Sequence, residues 1–344
     1  MALSAKTEID TRGRTFATGL LLDIVAALRV AMPGDLVAIT SDDPGVGRDL
    51  EIWSRLTRNP IVGATSEDGR TRWVVRHGDP PGEAEAARPL GERLWLYTNF
   101  DCNLRCHYCC VRSSPTSPRR ALDLELVRRL VAQARPLGLK ELFVTGGEPF
   151  LLADIVPILR ACTDGAPTTV LTNGMLLHGG RLAALRTLPR DRLTLQISLD
   201  SPSPELHDRH RGTGTWQRAW AGIETARHAG FRVRLAATVA SDEDADRFEE
   251  FLDRNAIAPA DRVIRRIALR GFAAEGIALS RADLVPEMTV TARGVYWHPV
   301  GADDDDFLVT SEILPLAAAL RAVQVALDRE REHGTKVASI FHCA

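Results

Sequence analysis

From residue 94 onward, short apolar runs alternate with amphipathic stretches, and no other feature of the chain restricts its fold so tightly. The runs 94–98, 141–145, 168–171, 193–199, 233–239 and 263–269 are separated by segments with apolar residues at helical spacing, namely 122–137, 155–162, 180–188, 216–228 and 242–254. A strand that returns to its own sheet through a helix pairs in parallel, and the helices then cover the sheet. Six such strands predict an α/β fold: a partial, TIM-like (β/α)6 barrel, in which chemistry collects at the C-terminal ends of the strands.

The segment before the barrel has a different pattern. A first strand at 8–10, a helix at 18–30, a strand at 36–40, a helix at 46–56 and a hairpin of 61–64 with 72–75 around Glu67-Asp68-Gly69 give a small α+β domain of β-α-β-α-β-β order. A domain of roughly 70 residues is near the lower limit for an independent core, so support from the barrel is expected. The Pro/Gly/Ala/Glu-rich stretch 77–88 reads as a linker. The domain plan is therefore 1–77, a linker at 78–91, the barrel at 92–275 and a C-terminal segment at 276–344. The acidic run 302–306 reads as a solvated loop tip.

Charge excludes several roles. With 43 basic and 45 acidic residues among 344, no net field attracts nucleic acid or an anionic membrane. The longest apolar stretch, 16–33, is interrupted by Asp23 and Arg29, too short and too charged to span a bilayer. No clearly basic segment precedes it and no small-residue cleavage site follows, so a cytoplasmic location is expected. There thiols stay reduced, and four of the six cysteines (Cys102, Cys106, Cys109, Cys110) crowd into nine positions. Such crowding points to metal. A structural zinc would need a fourth ligand from Cys110 or His107, and no second Cys-x-x-Cys pair follows. Three thiolates on a 4Fe-4S cluster would leave one iron open for chemistry. Cys162 lies on the apolar face of a helix and reads as a small hydrophobe.

The run Cys102-Asn103-Leu104-Arg105-Cys106-His107-Tyr108-Cys109 after the first barrel strand, with Thr145-Gly146-Gly147-Glu148-Pro149 after the second, resembles the radical S-adenosylmethionine (radical SAM) superfamily. The resemblance implies that Cys102, Cys106 and Cys109 hold one 4Fe-4S cluster, that SAM chelates its fourth iron, and that Tyr108 packs near the adenine. It implies further that Gly146, Gly147, Glu148 and Pro149 hold the methionine amino group. Thr172-Asn173 and Ser198-Leu199-Asp200 end the third and fourth strands, where relatives contact the ribose. His207-Asp208-Arg209-His210-Arg211-Gly212 is similar to an HDxxRG segment of cofactor-maturing and peptide-modifying members, which would set Arg211 against the SAM carboxylate. Thr238, ending the fifth strand, is an adenosine-contact candidate. Cys110 beside the cluster, and Cys343, are candidate hydrogen or thiol donors.

Residues 289–301 followed by 307–320 have the outline of the hairpin and helix that open the SPASM or twitch extension of many relatives, but without its auxiliary-cluster cysteines, so one cluster is expected. His298 reads as a structural histidine before a substrate contact. Residues 8–76 resemble the TusA/SirA-like sulfur carriers through Asp10-Thr11-Arg12-Gly13, Pro33-Gly34-Asp35 and Thr40-Ser41-Asp42-Asp43-Pro44. Their carrier Cys-Pro-x-Pro is replaced here by Phe16-Ala17-Thr18-Gly19, and a persulfide needs a thiolate. Recognition of a partner or leader peptide is the expected role instead. The whole chain thus reads as a radical SAM enzyme, fed by a low-potential reductant such as flavodoxin or ferredoxin. It would cleave SAM to a 5′-deoxyadenosyl radical that removes hydrogen from a peptide or a small molecule. The alternatives are a non-catalytic iron-sulfur or zinc protein that binds a partner, and a sulfur-transfer component.

Overall fold

The computed structural model describes residues 5–11, 13, 15, 20–32, 34–57, 59–78 and 92–332. The chain forms two compact units, Met1–Arg88 and Pro89–Ala344.

In the first unit, β1 (Thr7–Asp10), α1 (Leu20–Val30), β2 (Leu36–Ser41), α2 (Pro44–Thr57), β3 (Ile61–Glu67) and β4 (Arg70–Arg76) follow the expected order. The sheet runs β1-β2-β4-β3, with β1 parallel to β2 and the other pairs antiparallel. Asp68 and Gly69 both take positive φ, 52° and 75°, as a two-residue hairpin turn that follows the strand twist requires. Leu20, Ile24 and Leu28 of α1 pack with Val46, Leu50 and Trp53 of α2 over Val37, Ile39 and Val75. The replaced carrier segment, 16–19, lies outside the described residues.

The second unit opens with β5 (Arg93–Tyr97), α3 (Leu124–Ala134), β6 (Glu141–Thr145), α4 (Ile155–Gly165), β7 (Thr168–Thr172) and α5 (Gly179–Leu185). It continues with β8 (Leu193–Ser198), α6 (Pro204–Arg211), α7 (Thr215–His228), β9 (Arg232–Val239), α8 (Asp242–Arg254) and β10 (Arg262–Arg266). These six strands are all parallel and stand side by side in sequence order, as an open, partial barrel sheet requires. Alternation explains its two faces. Leu94, Leu96, Leu142, Val144, Leu195, Ile197 and Leu235 join the helices in the main core, and so does the fully buried Cys162 of α4. Trp95, Phe143, Thr169, Gln196, Arg234 and Thr238 alternate with them and belong to the opposite, concave face. Beyond β5 the sheet gains β11 (Thr289–Thr291), parallel to β5, then β12 (Gly294–Tyr296) and β13 (Leu308–Thr310), both antiparallel to their neighbours.

Several sequence expectations need correction. The last barrel strand ends at Arg266 instead of 269, because Ala268 bridges to Ile277 and the chain turns at Gly271 (φ 64°). The first barrel helix is α-helical only to Ala134, where Pro136 enters a 3-10 turn. Residues 307–320 do not form one helix. Leu308–Thr310 extends the ladder on β12, and α9 (Leu316–Glu332) starts only after Pro315. Nor is the acidic run a solvated tip throughout. Asp303, with its side chain 9% exposed, pairs with Arg112 at 2.7 Å, and Asp304 pairs with Arg270. Among the described residues, no helix is long and apolar enough to cross a membrane.

Candidate active site

The loop that follows β5 carries all four clustered cysteines and is tied down on four sides. Towards β6, the N–H of Gly147 donates to Asn99 O at 2.8 Å and that of Glu148 to Asp101 O at 3.0 Å, while Asn99 Nδ2 donates to Glu148 O at 3.0 Å. Gly146 and Gly147 are required by this approach. A Cβ would stand 2.3 Å from Asn99 Oδ1 at the first and 2.3 Å from Asp101 O at the second. Towards β7, Asn173 Nδ2 donates to Asn103 Oδ1 at 2.8 Å. Towards α6, His107 N donates to His210 O at 2.9 Å, and beyond β10, Phe272 N donates to Cys109 O at 3.0 Å. Loop and strand ends therefore form one hydrogen-bonded body.

Within it, Leu104 N donates to Cys102 Sγ and Ser113 N to Cys109 Sγ, each at 3.3 Å. Burial pushes the thiols of Cys102 and Cys109 up and that of Cys106 to about 11, so as bare side chains they hold their protons. A cationic centre would reverse that, and the N–H donors aimed at sulfur suit metal-bound thiolates. Among the described residues no three His, Cys, Asp or Glu side chains converge as one metal ion requires. A cubane cluster takes each thiolate on a separate iron and needs no common point, so the donor set fits such a group. Cys110 lines a cleft of about 310 Å3 together with Arg112, Arg270, Gly271 and Asp303. Cys343 lies outside the described residues.

Glu148 is fully buried, and its carboxylate is already engaged. It accepts from Phe150 N (3.0 Å), Thr172 Oγ1 (2.8 Å) and Asn173 N (2.8 Å). Burial raises its pKa while those three donors oppose the shift. Its carboxylate thereby clamps β6 to β7. Pro149 starts the 3-10 turn that Glu148 caps. Thr172 and Asn173 likewise serve Glu148 and Asn103, not an open cleft.

The second hub is Asp200. Its carboxylate accepts from Arg211 Nε (2.6 Å) and Nη2 (3.0 Å), from Thr238 N (3.2 Å) and from the Tyr108 hydroxyl. Burial opposes ionisation of Asp200, but the Arg211 guanidinium outweighs it and holds the carboxyl below its ordinary range. Burial, with Asp200 beside it, drives Tyr108 well above the usual phenol value. The Arg211 fork is thus spent on Asp200, where the sequence assigned it to a ligand carboxylate. Asp200 N donates to His207 Nδ1 at 3.1 Å, and Asp208 accepts from Trp216 N at 2.8 Å at the start of α7. Each polar residue of the His207-Asp208-Arg211 pattern thereby has a mechanical duty. Ser198 is half-buried at the end of β8. His298 fits the structural reading: 1% exposed, it accepts from Val300 N at 3.2 Å, and burial pushes it down to about 3.

Residues 96–254 match the family model of the radical SAM superfamily, and this stretch holds every cysteine, glycine and acidic residue of the two hubs. It is a radical SAM domain. Proteins of this superfamily use a 4Fe-4S cluster and S-adenosylmethionine. The chain is 33% identical over 162 residues to an AdoMet-dependent heme synthase of Methanosarcina barkeri, covering 46% of each. It is 34% identical over 140 residues to a GTP 3′,8-cyclase of Microcystis aeruginosa, covering 38% of this chain and 42% of the relative. The match thus spans less than half the length of these curated relatives. The solved structure of anSMEcpe with bound AdoMet and a Cp18Cys peptide shares the fold, with a TM-score of 0.51 and 13% identity over 66% of this chain and 79% of that one.

Sequence reasoning missed Asn99, whose carboxamide joins the loop to the radical SAM glycine turn, and Asn103, its counterpart towards β7. A Tyr-Thr-Asn-Phe stretch at a strand end offers only a weak turn signal.

Proposed function

We propose that this chain is a radical SAM enzyme that binds one 4Fe-4S cluster through Cys102, Cys106 and Cys109 and removes a hydrogen atom from a substrate. The observation that carries the reading is the locked body formed by the three-cysteine loop and the Gly146-Gly147-Glu148 turn at the mouth of a parallel sheet. When bound, the reduced cluster and SAM together supply a 5′-deoxyadenosyl radical. The chain's own residues do the remaining work. Asn99, Gly146 and Gly147 fix the cysteine loop against β6. The N–H groups of Gly147 and Glu148 are spent inside that contact, which leaves the carbonyl oxygens of Gly146 and Gly147, unused by the turn and loop hydrogen bonds, to accept from the amino group of SAM. Asp200 orients Tyr108 and Arg211 beside Cys106 and presents a charge-balanced wall to the adenosine. Ser198 and Thr238 border that wall.

A ribosomally made peptide is the favoured substrate, supported by the HDxxRG-like segment and by the peptide bound in a protein of the same fold; a small molecule is the alternative. The first unit, with no cysteine before Cys102, serves partner or leader recognition in this reading and not sulfur relay. A low-potential reductant supplies the electron.

The test is anaerobic reconstitution followed by assay for 5′-deoxyadenosine with SAM and dithionite. Wild type should bind about four irons per chain and cleave SAM, and the Cys102→Ala, Cys106→Ala, Cys109→Ala triple variant should do neither. Roughly eight irons would overturn the single cluster. Iron without cleavage, or zinc, would return the protein to a structural-metal role.

A further inference from the structure

Several half-buried arginines of the second unit have a carboxylate. Arg93 has Glu287 at 3.4 Å, Arg211 has Asp200, Arg262 has Glu249 at 2.8 Å and Arg270 has Asp304. Arg265, half-buried on β10, has none among the described residues. Its guanidinium makes a single long contact, Nε donating to Thr238 Oγ1 at 3.4 Å. The register places it beside Thr238, whose backbone N–H already donates to Asp200, so Arg265 borders the second hub of the site. Its charge also helps, after burial, to depress the imidazole of His298. An unpaired guanidinium held partly out of water is unfavourable unless an anion arrives.

A second observation points to the same face. Gln196 on β8 is 1% exposed, yet neither its amide nitrogen nor its oxygen has a partner. Its strand neighbours Leu195 and Ile197 belong to the helix-covered core, so Gln196 belongs to the concave face. In register beside it stands Arg234, four residues below Thr238 on β9, with its Nε also buried and unpartnered. Buried polar groups without partners are uncommon in native proteins and mark strain or a missing ligand. Here two such side chains, Gln196 and Arg234, stand on adjacent strands of one face, and the half-buried Arg265 follows on the next strand.

We propose that the substrate of this enzyme carries an oxyanion, a carboxylate or a phosphate, that Arg265 grips at the mouth of the sheet, with Gln196 and Arg234 as polar anchors deeper on the same face. The proposal rests on the reading of these strand ends as an active site. A planar fork suits either anion, and the anchors below it demand a polar substrate body.

Reconstituted full-length wild type, Arg265→Gln and Arg265→Lys are titrated by calorimetry with glutarate and, separately, with tripolyphosphate, and the KM for SAM is measured for each. Circular dichroism and the charge-conserving lysine variant control for folding. One probe should bind wild type at least ten-fold more tightly than R265Q, with R265K between them and the KM for SAM changed less than two-fold. Preference for glutarate names a carboxylate substrate, and preference for tripolyphosphate a phosphorylated one. Equal affinity of wild type and R265Q for both probes, or no binding to wild type, overturns the proposal. So does a ten-fold rise in the KM for SAM in R265Q, which would give Arg265 to the cofactor. Failure of wild type to form 5′-deoxyadenosine sinks the enzymatic reading alone, since the calorimetry reads the anion site without turnover.

Discussion

Asp200 and Arg211 form a pair whose side chains are 1% and 9% exposed, and such a pair is worth most when one member is removed. Asp200→Asn leaves a buried guanidinium without its counter-charge and should cost about 3–5 kcal/mol in urea unfolding. Asp200→Asn with Arg211→Gln should cost less than the two single changes added together, because no lone charge remains. Additive losses would show that the pair is not coupled. At this scale the sequence spoke clearly only where the chemistry is local. Three cysteines within eight positions announce a metal centre whatever surrounds them. The partner of Arg211 was not readable, because a carboxylate eleven residues away and a ligand carboxylate satisfy a guanidinium equally well, and only the path of α6 decides between them. Asn99 and Arg265 were invisible for the same reason, since one matters through a turn 49 residues ahead and the other through the absence of a partner.

Elements were more legible than contacts. Apolar alternation placed all six barrel strands, since each must show one face to the helices. The misread helix at 307–320 shows where that signal fails. Phe307, Leu308, Val309 and Ile313 suit either period, and the edge of β12 claims Leu308 and Val309 for a short strand. The resemblance assigned the glycine pair to a ligand, but what approaches it most closely here is the cysteine loop. Gly147→Ala places a methyl 2.3 Å from Asp101 O, so β6 and the loop must part. Such overpacking costs about 1–3 kcal/mol, and here the displacement falls on Cys102 and its neighbours. The variant should melt lower than wild type and retain less than half its iron after reconstitution; iron content equal to wild type would show that the loop holds its shape without this contact.

For the whole molecule, the two hydrophobic cores share no residue: one is drawn entirely from residues 9–75 and the other from residues beyond 93. The first unit was expected to lean on the barrel for stability. It has a core of its own, with Trp53 and Trp73 enlarging what roughly 70 residues could otherwise bury. A chain of residues 89–344 should therefore unfold in a single cooperative transition and load the same iron as the full chain. A broad transition or loss of iron would show that the units depend on each other. The sheet's pairing order also bears on how the protein is made. β5 acquires β6 soon after it leaves the ribosome, but its other edge waits for the segment of Glu287, 192 residues later. At about 5–20 residues per second, that edge stays open for on the order of 10–40 s of synthesis. The strand that leads into the cysteine loop is thus the one most exposed to a neighbouring nascent chain, and slowing or crowding translation should divert this protein into aggregates before any cofactor can reach it.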